Sequence, residues 1–177
     1  MLLELLQQRR SIRRFQDKPV SPALLDQLLE TALRAPSGKG TNPWEFIVIQ
    51  NKETLAQLAK AKPHGAAFLE KAPLAIAVCA NTLKTDTWVE DASIAALLLH
   101  LAAADLGLGS CWVQIRLRAH DDQRSAQEYL SAILGLEEHI MVLAVIGIGY
   151  PAAEKKGHEK ASLRYDQVSY EQFGQKQ

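Results

Sequence analysis

The sequence predicts a fold of the mixed α/β or α+β class, and three observations carry that prediction. Four short segments, 45–50, 74–80, 110–115 and 140–148, are apolar and rich in strand-forming residues. About five other stretches repeat apolar residues at helical spacing, and the two kinds of segment are interleaved along the chain. With 177 residues, no internal repeat, no low-complexity run and no linker, the chain is expected to be one domain, 1–177, with a polar C-terminal arm from about residue 152 that docks on another surface.

In order, Leu2, Leu3, Leu5 and Leu6 give a short helix one apolar side, which runs into Arg9-Arg10-Ser11-Ile12-Arg13-Arg14. Ser21-Pro22 is a helix start, serine as cap and proline in the first turn. Leu24, Leu25, Leu28, Leu29, Ala32 and Leu33 continue that helix until Pro36, and 36–43 must be a loop. The first strand follows, then a modest helix over 53–61 that ends at Pro63-His64-Gly65. A short helical piece stops at Pro73, where a continuous apolar strand begins. After the third strand, 124–134 reads as a helix closed by Gly135, and the last strand is broken at Gly149-Tyr150-Pro151.

The stretch from Trp88 to Gln114 organises the rest. Asp91 is placed to cap a helix over 92–104 that holds Ala, Leu, Ile, Ser and a single ring-bearing polar residue, His100. A surface helix has an apolar stripe, whereas this one is apolar almost all round and is expected to be buried on every side. It is too short and alanine-rich for a membrane span, and Glu90, Asp91 and Asp105 flank it. A chain of this length gives such a helix little cover, which points to a helix at the centre of a dimer.

Twenty basic and twenty acidic side chains cancel, which argues against a protein built for nucleic acid or for an anionic membrane. Cys79 and Cys111 both sit in apolar runs, as reduced thiols do, and the N-terminus has no signal-peptide pattern; the expected compartment is the cytoplasm.

Two constellations carry possible chemistry. Arg9, Arg10 and Arg13 with the Ser11 hydroxyl are donors of the kind that bind phosphate oxygens in pairs; the alternative is a solvated basic face. The loop from Pro36 to Trp44 offers glycines for close backbone approach and Asn42 as donor and acceptor at a ring edge; alone, it is equally a plain helix-to-strand connection. Other templates fail. There is no P-loop, Gly107-x-Gly109 and Gly147-x-Gly149 do not open helices, the five histidines lack zinc spacing, and no Gly-x-Ser-x-Gly elbow exists. An enzyme of this composition must draw its chemistry from an organic cofactor.

These segments together resemble the short form of the nitroreductase family of flavin enzymes over nearly the whole chain. The resemblance rests on Arg9-Arg10-Ser11-Ile12-Arg13, Ala35-Pro36-Ser37-Gly38 leading to Asn42-Pro43-Trp44, Lys71-Ala72-Pro73, Glu90-Asp91-Ala92, Gly107-Leu108-Gly109-Ser110-Cys111-Trp112 and Ile148-Gly149-Tyr150-Pro151. It implies an α+β fold with a mixed or antiparallel central sheet flanked by helices, and an intertwined homodimer with FMN at the subunit interface. It also implies ping-pong transfer from NADH or NADPH to a small-molecule acceptor such as a nitroaromatic or quinone. By that resemblance Arg9, Arg10, Ser11 and Arg13 bind the phosphate and ribityl chain. Pro36, Ser37 and Gly38 lie against the flavin from the other subunit, and His64 falls where relatives place a polar side chain on the ring. Trp112, Val113 and Gln114 form the segment behind the isoalloxazine, and Lys155 and Lys156 reach the phosphate from the tail. No residue is assigned as acid, base or metal ligand.

The chain departs from the family pattern in three places. Gly40 stands where relatives commonly have Asn, Asn42 where they have Gln, and Ser169 where many have His. The first two leave open a rival reading, a flavin-binding dimer without activity. A second rival keeps the flavin and changes the reaction to flavin-consuming, dehalogenating or dehydrogenating chemistry.

Overall fold

Four strands, β1 (Trp44–Ile49), β2 (Leu74–Asn81), β3 (Gly109–Gln114) and β4 (Ile140–Gly149), hydrogen-bond in the order β1-β2-β4-β3. Every neighbouring pair is antiparallel. These relations come from a computed structural model that describes residues 1–177. β2 and β4 are central and almost wholly buried, which is why both read as continuous apolar runs rather than as alternations.

Helices α2 (Pro22–Leu33), α3 (Lys52–Leu58), α4 (Trp88–Asp105) and α5 (Ala126–Leu134) cover the sheet, and α1 (Leu2–Gln8) lies outside them against α4. One face packs Leu74, Ile76, Val78, Ile146 and Ile148 against Leu28 and Ala32 of α2 and Ala92, Ala96, Leu99 and Ala103 of α4. The other face packs Ala75, Ala77, Val113, Val142 and Val145 against Leu55, Leu58 and Leu69 and against Ala126 and Leu130 of α5. Opposite the Val78/Cys79 step the β4 chain carries one extra residue. Leu143 and Ala144 therefore turn to the same core, and the Leu143 carbonyl accepts from the amides of both Ile115 and Arg116 as the chain leaves β3.

Most boundaries follow local chemistry. The Ser21 hydroxyl accepts from the Leu24 amide with Pro22 in the first turn, and Gly135 ends α5 in the left-handed conformation. α5 begins two residues later than expected because Ser125 and Glu128 form a reciprocal capping box.

One expectation for the central helix needs correction. α4 begins at Trp88, three residues before Asp91, so Asp91 is not its cap. Within one chain the helix is not covered on every side. Its alanines face the sheet, while Ile94 is 38% and Leu97 51% exposed, and Leu98, Leu101 and Ala104 are half-buried along the same stripe. No helix is long and apolar enough to cross a membrane.

The small residues on the sheet side let α4 sit close to β2 and β4, so added volume there has nowhere to go. Ala96→Leu is expected to destabilise the protein by about 1–3 kcal/mol in urea unfolding. A variant as stable as the parent would mean the interface is looser than the buried alanines indicate.

Candidate functional site

The residues after α1 are stitched to the free edge of β3 and the end of β4. The Ile12 amide donates to the Ser110 carbonyl at 2.9 Å, Gln16 to Tyr150 at 2.9 Å, and Ala152 to Arg14 at 2.9 Å. The first of these requires Ile12 to approach the strand so closely that a Cβ on Gly109 would stand 2.7 Å from it. The tail folds back along the same segment: Lys155 Nζ donates to the Ser11 carbonyl at 3.3 Å, and Arg10 donates to the Lys156 carbonyl. A Cβ on Gly157 would lie 1.8 Å from the Gln7 carbonyl oxygen, so only glycine allows the tail to pass there.

Between these strands of chain lies a cavity of about 680 Å³, lined among others by Arg9, Arg10, Ser110, Lys155 and Lys156. A smaller one of about 300 Å³, lined by Ser11, Arg13, Arg14 and Lys155, adjoins it. Glu154 is the one carboxylate on either wall. None of Arg9, Arg10, Arg13, Lys155 and Lys156 takes part in an ion pair. A concave, unpaired cluster of guanidinium and ammonium groups has the donor chemistry that binding an anion requires.

β3 supplies a second set of donors. Residues of an antiparallel edge strand alternate between bonding the neighbour and facing outward. Ser110 turns its carbonyl outward to Ile12, so Trp112 and Gln114, in the same phase, present their backbone groups along the free edge. Val113, in the opposite phase, bonds towards β4, and its side chain is buried in the core beneath α3 and α5. Of the 112–114 segment, then, the outward amides of Trp112 and Gln114 face a ligand, whereas the Trp112 carbonyl accepts from the Cys111 thiol at 3.8 Å and the Val113 side chain is buried. Trp112 packs against α4, and its indole N–H donates to Gln114 Oε1 at 2.8 Å, which fixes both side chains.

The loop of Pro36, Ser37, Gly38, Gly40 and Asn42 is elsewhere. Asp91, buried at 3% exposure, accepts from the Gly38 amide at 2.8 Å and from the Thr87 hydroxyl at 3.2 Å, which fastens the loop to the start of α4. Ser37 Oγ donates to Asn42 Oδ1 at 2.7 Å and accepts from the Asn42 amide at 3.0 Å. The expected double reading by the Asn42 side chain is thus half used inside the loop, leaving its NH₂ group free. The arginine cavity borders Ala104 and Gly107 at the other end of α4, and 18 helical residues span about 27 Å. One chain does not bring the loop and the arginines together. His64 is exposed on its turn, makes no hydrogen bond and is not on the wall of either cavity.

One buried polar pair is not readable from the sequence. His100 Nδ1 lies 2.7 Å from Ser110 Oγ, and the imidazole stacks loosely on Trp112, with ring centroids 6.1 Å apart. Burial, helped by the charge of Arg9, pushes His100 down to about 4. The available signal is a lone histidine in an otherwise aliphatic helix, but only the fold shows which serine faces it.

Residues 6–73 and 60–150 match the model of the Nitroreductase family. The chain is 44% identical to a solved structure titled "FMN-dependent Nitroreductase" from Clostridium difficile R20291, with a TM-score of 0.95, covering 97% of this chain and 99% of that one. It is 36% identical over 154 residues to the "Putative NADH dehydrogenase/NAD(P)H nitroreductase" of Methanothermobacter thermautotrophicus, covering 85% of this chain and 78% of the relative. Likewise it is 35% identical to the protein of the same name in Archaeoglobus fulgidus, covering 89% of each.

Two outcomes test the site's construction. His100 is held below its ordinary value of 6.5, so the native state binds fewer protons than the unfolded chain between about 4 and 6.5. The stability this contributes is present above pH 6.5 and lost as pH falls towards 4, by on the order of 3 kcal/mol. His100→Leu should flatten that part of the stability–pH curve in chemical denaturation. Gly157→Ala should displace the tail and open the cavity, seen as faster amide exchange across 153–157; unchanged exchange would contradict the close approach to Gln7.

Proposed function

The chain belongs to the nitroreductase family and is an oxidoreductase, and from that premise we propose that it works with FMN, passing reducing equivalents from NADH or NADPH to a nitroaromatic, quinone or related small acceptor in a ping-pong cycle. The observation that carries this reading is the unpaired cation cavity of Arg9, Arg10, Lys155 and Lys156, which reaches the start of β3 at Gly109 and Ser110. Its guanidinium and ammonium groups fit the phosphate of FMN, and the outward backbone groups of Trp112 and Gln114, further along the same strand and outside the cavity wall, would serve a ring edge. FMN, when bound, supplies the hydride chemistry, which no side chain of the site could provide. The chain's own residues bind and orient. Arg9, Arg10, Lys155 and Lys156 would hold the phosphate, with Ser11 beside them, and Arg13 would put positive charge along the cofactor between phosphate and ring.

We assign the protein a homodimeric state with a cofactor site at each end of the interface. The exposed stripe of Ile94, Leu97, Leu98, Leu101 and Ala104 suits a copy of the same helix, and a two-fold axis perpendicular to it would set the helices antiparallel. That arrangement carries the Pro36–Asn42 loop at the start of one α4 towards the arginine cavity at the end of the other, closing the gap that one chain leaves. The tail's exposed Leu163, Tyr165, Val168, Tyr170 and Phe173 are apolar enough to need cover, and the partner is the surface we assign to them. The buried, unpaired Cys79 and Cys111 accord with a reducing cytoplasm.

Arg10→Ala with Arg13→Ala should weaken FMN binding by about 1.5–3 kcal/mol for each charge-assisted hydrogen bond removed, read by flavin fluorescence titration; unchanged affinity would remove the phosphate assignment. Leu97→Asp should convert the dimer to monomer in sedimentation and lower FMN occupancy with it. A Leu97→Asp dimer that keeps its flavin would rule out α4 as the interface.

A further inference from the structure

We propose that His100 is a positioning residue for the anion site: it fixes the Ser110 hydroxyl as a donor to the phosphate of the bound cofactor. The inference rests on the FMN reading above and goes beyond it, since it assigns work to a helix residue that does not line the cavity.

The geometry leads there in steps. Ser110 is on the cavity wall with Arg9 and Arg10, and its carbonyl is already committed to Ile12. Its hydroxyl, 2% exposed as a residue, has His100 Nδ1 as its one protein partner at 2.7 Å. A hydroxyl has one hydrogen and two lone pairs. If the imidazole carries its proton on Nε2, the serine must donate to Nδ1 and has nothing left for a ligand. With the proton on Nδ1, the imidazole donates to Oγ, and the serine hydrogen is free for a phosphate oxygen. An anion in the cavity favours the second arrangement.

Three features suit His100 to that task. Stacking on Trp112 holds the ring plane, and Trp112 is itself fixed through Gln114. The ring is kept neutral beside Arg9, so it can act as a directed donor without adding to the repulsion among the cavity cations. The site is otherwise hydrocarbon, with Ala96, Leu99 and Ala103 as neighbours on the helix, so burying an imidazole there costs solvation that an aliphatic residue would not.

The test is flavin binding by the full-length protein stripped of cofactor, with FMN and riboflavin as parallel probes, because riboflavin lacks only the phosphate. His100→Leu and Ser110→Ala should each weaken FMN binding about tenfold, the loss of one hydrogen bond to a charged group. Riboflavin affinity should stay within about twofold. The double variant should lose no more than either single one, since both break the same relay. His100→Asn, whose side-chain amide places a donor near the Nδ1 position, should stay within about threefold of the parent. Equal losses for FMN and riboflavin, additive losses, or no loss would overturn the inference while the FMN reading stood. A parent protein that binds riboflavin as tightly as FMN would overturn the phosphate assignment itself, and this inference with it. Should His100→Leu fail to fold, the Ser110→Ala comparison between the two flavins decides alone.

Discussion

Everything in this site depends on holding like charges together. Arg9, Arg10, Arg13, Lys155 and Lys156 come from two ends of the chain and line two adjoining concavities with no ion pair among them. Such a cluster repels itself, by roughly 1 kcal/mol for each pair brought to 4 Å in water. What opposes the repulsion is backbone. Ile12 to Ser110, Gln16 to Tyr150 and Ala152 to Arg14 are main-chain bonds that no change of protonation can weaken, and they pin both cationic segments to the buried β3–β4 pair. The core of the sheet thus stabilises an arrangement that its charges alone would disperse. Preorganisation of this kind lets an anion bind without first ordering its donors.

α4 turns that local device into a global one. Its alanines seat it close to the sheet, so its start and end are rigidly placed about 27 Å apart. Asp91 at the start holds the Gly38 loop, and Ala104 and Gly107 at the end border the cation cavity. The helix therefore keeps the loop and the cation cavity apart within one chain, and in the proposed dimer its exposed stripe is what would bring them together.

Much of this is legible in the residues, for physical reasons that also mark where legibility stops. β2 and β4 announce themselves because a strand buried on both faces must be apolar throughout. Pro22, Gly135 and the Ser125–Glu128 pair mark helix ends through local bonds that need no knowledge of the fold. Asp91 misleads because a carboxylate in the first helical turn looks the same whether it caps its own helix or reaches 53 residues away to the Gly38 amide. Adjacency in sequence groups Val113 with Trp112 and Gln114, whereas strand phase sends its side chain to the opposite core. One chain leaves a stripe of α4 uncovered, in keeping with a helix expected at the centre of a dimer: composition states how apolar a helix is, not which chain covers it. His100 and Ser110 are ten residues apart with a helix end between them, and nothing local couples them.

The loop's departures from the family pattern have a backbone explanation. Lys39, Gly40 and Asn42 all lie in the left-handed region, with φ of 53°, 66° and 45°. Gly, Asn and Asp adopt that region at least cost, and longer side chains adopt it less readily. Gly40 meets that conformational demand with no side chain to accommodate. At position 42 the shorter Asn, in place of Gln, is of a length to accept from Ser37 while its own amide donates back. The loop secures internally what a longer residue would seek from a ligand. Its rigidity then comes from Ser37, Thr41 and Asp91, and its contribution to a neighbouring site reduces to shape, to exposed backbone and to one free NH₂ group.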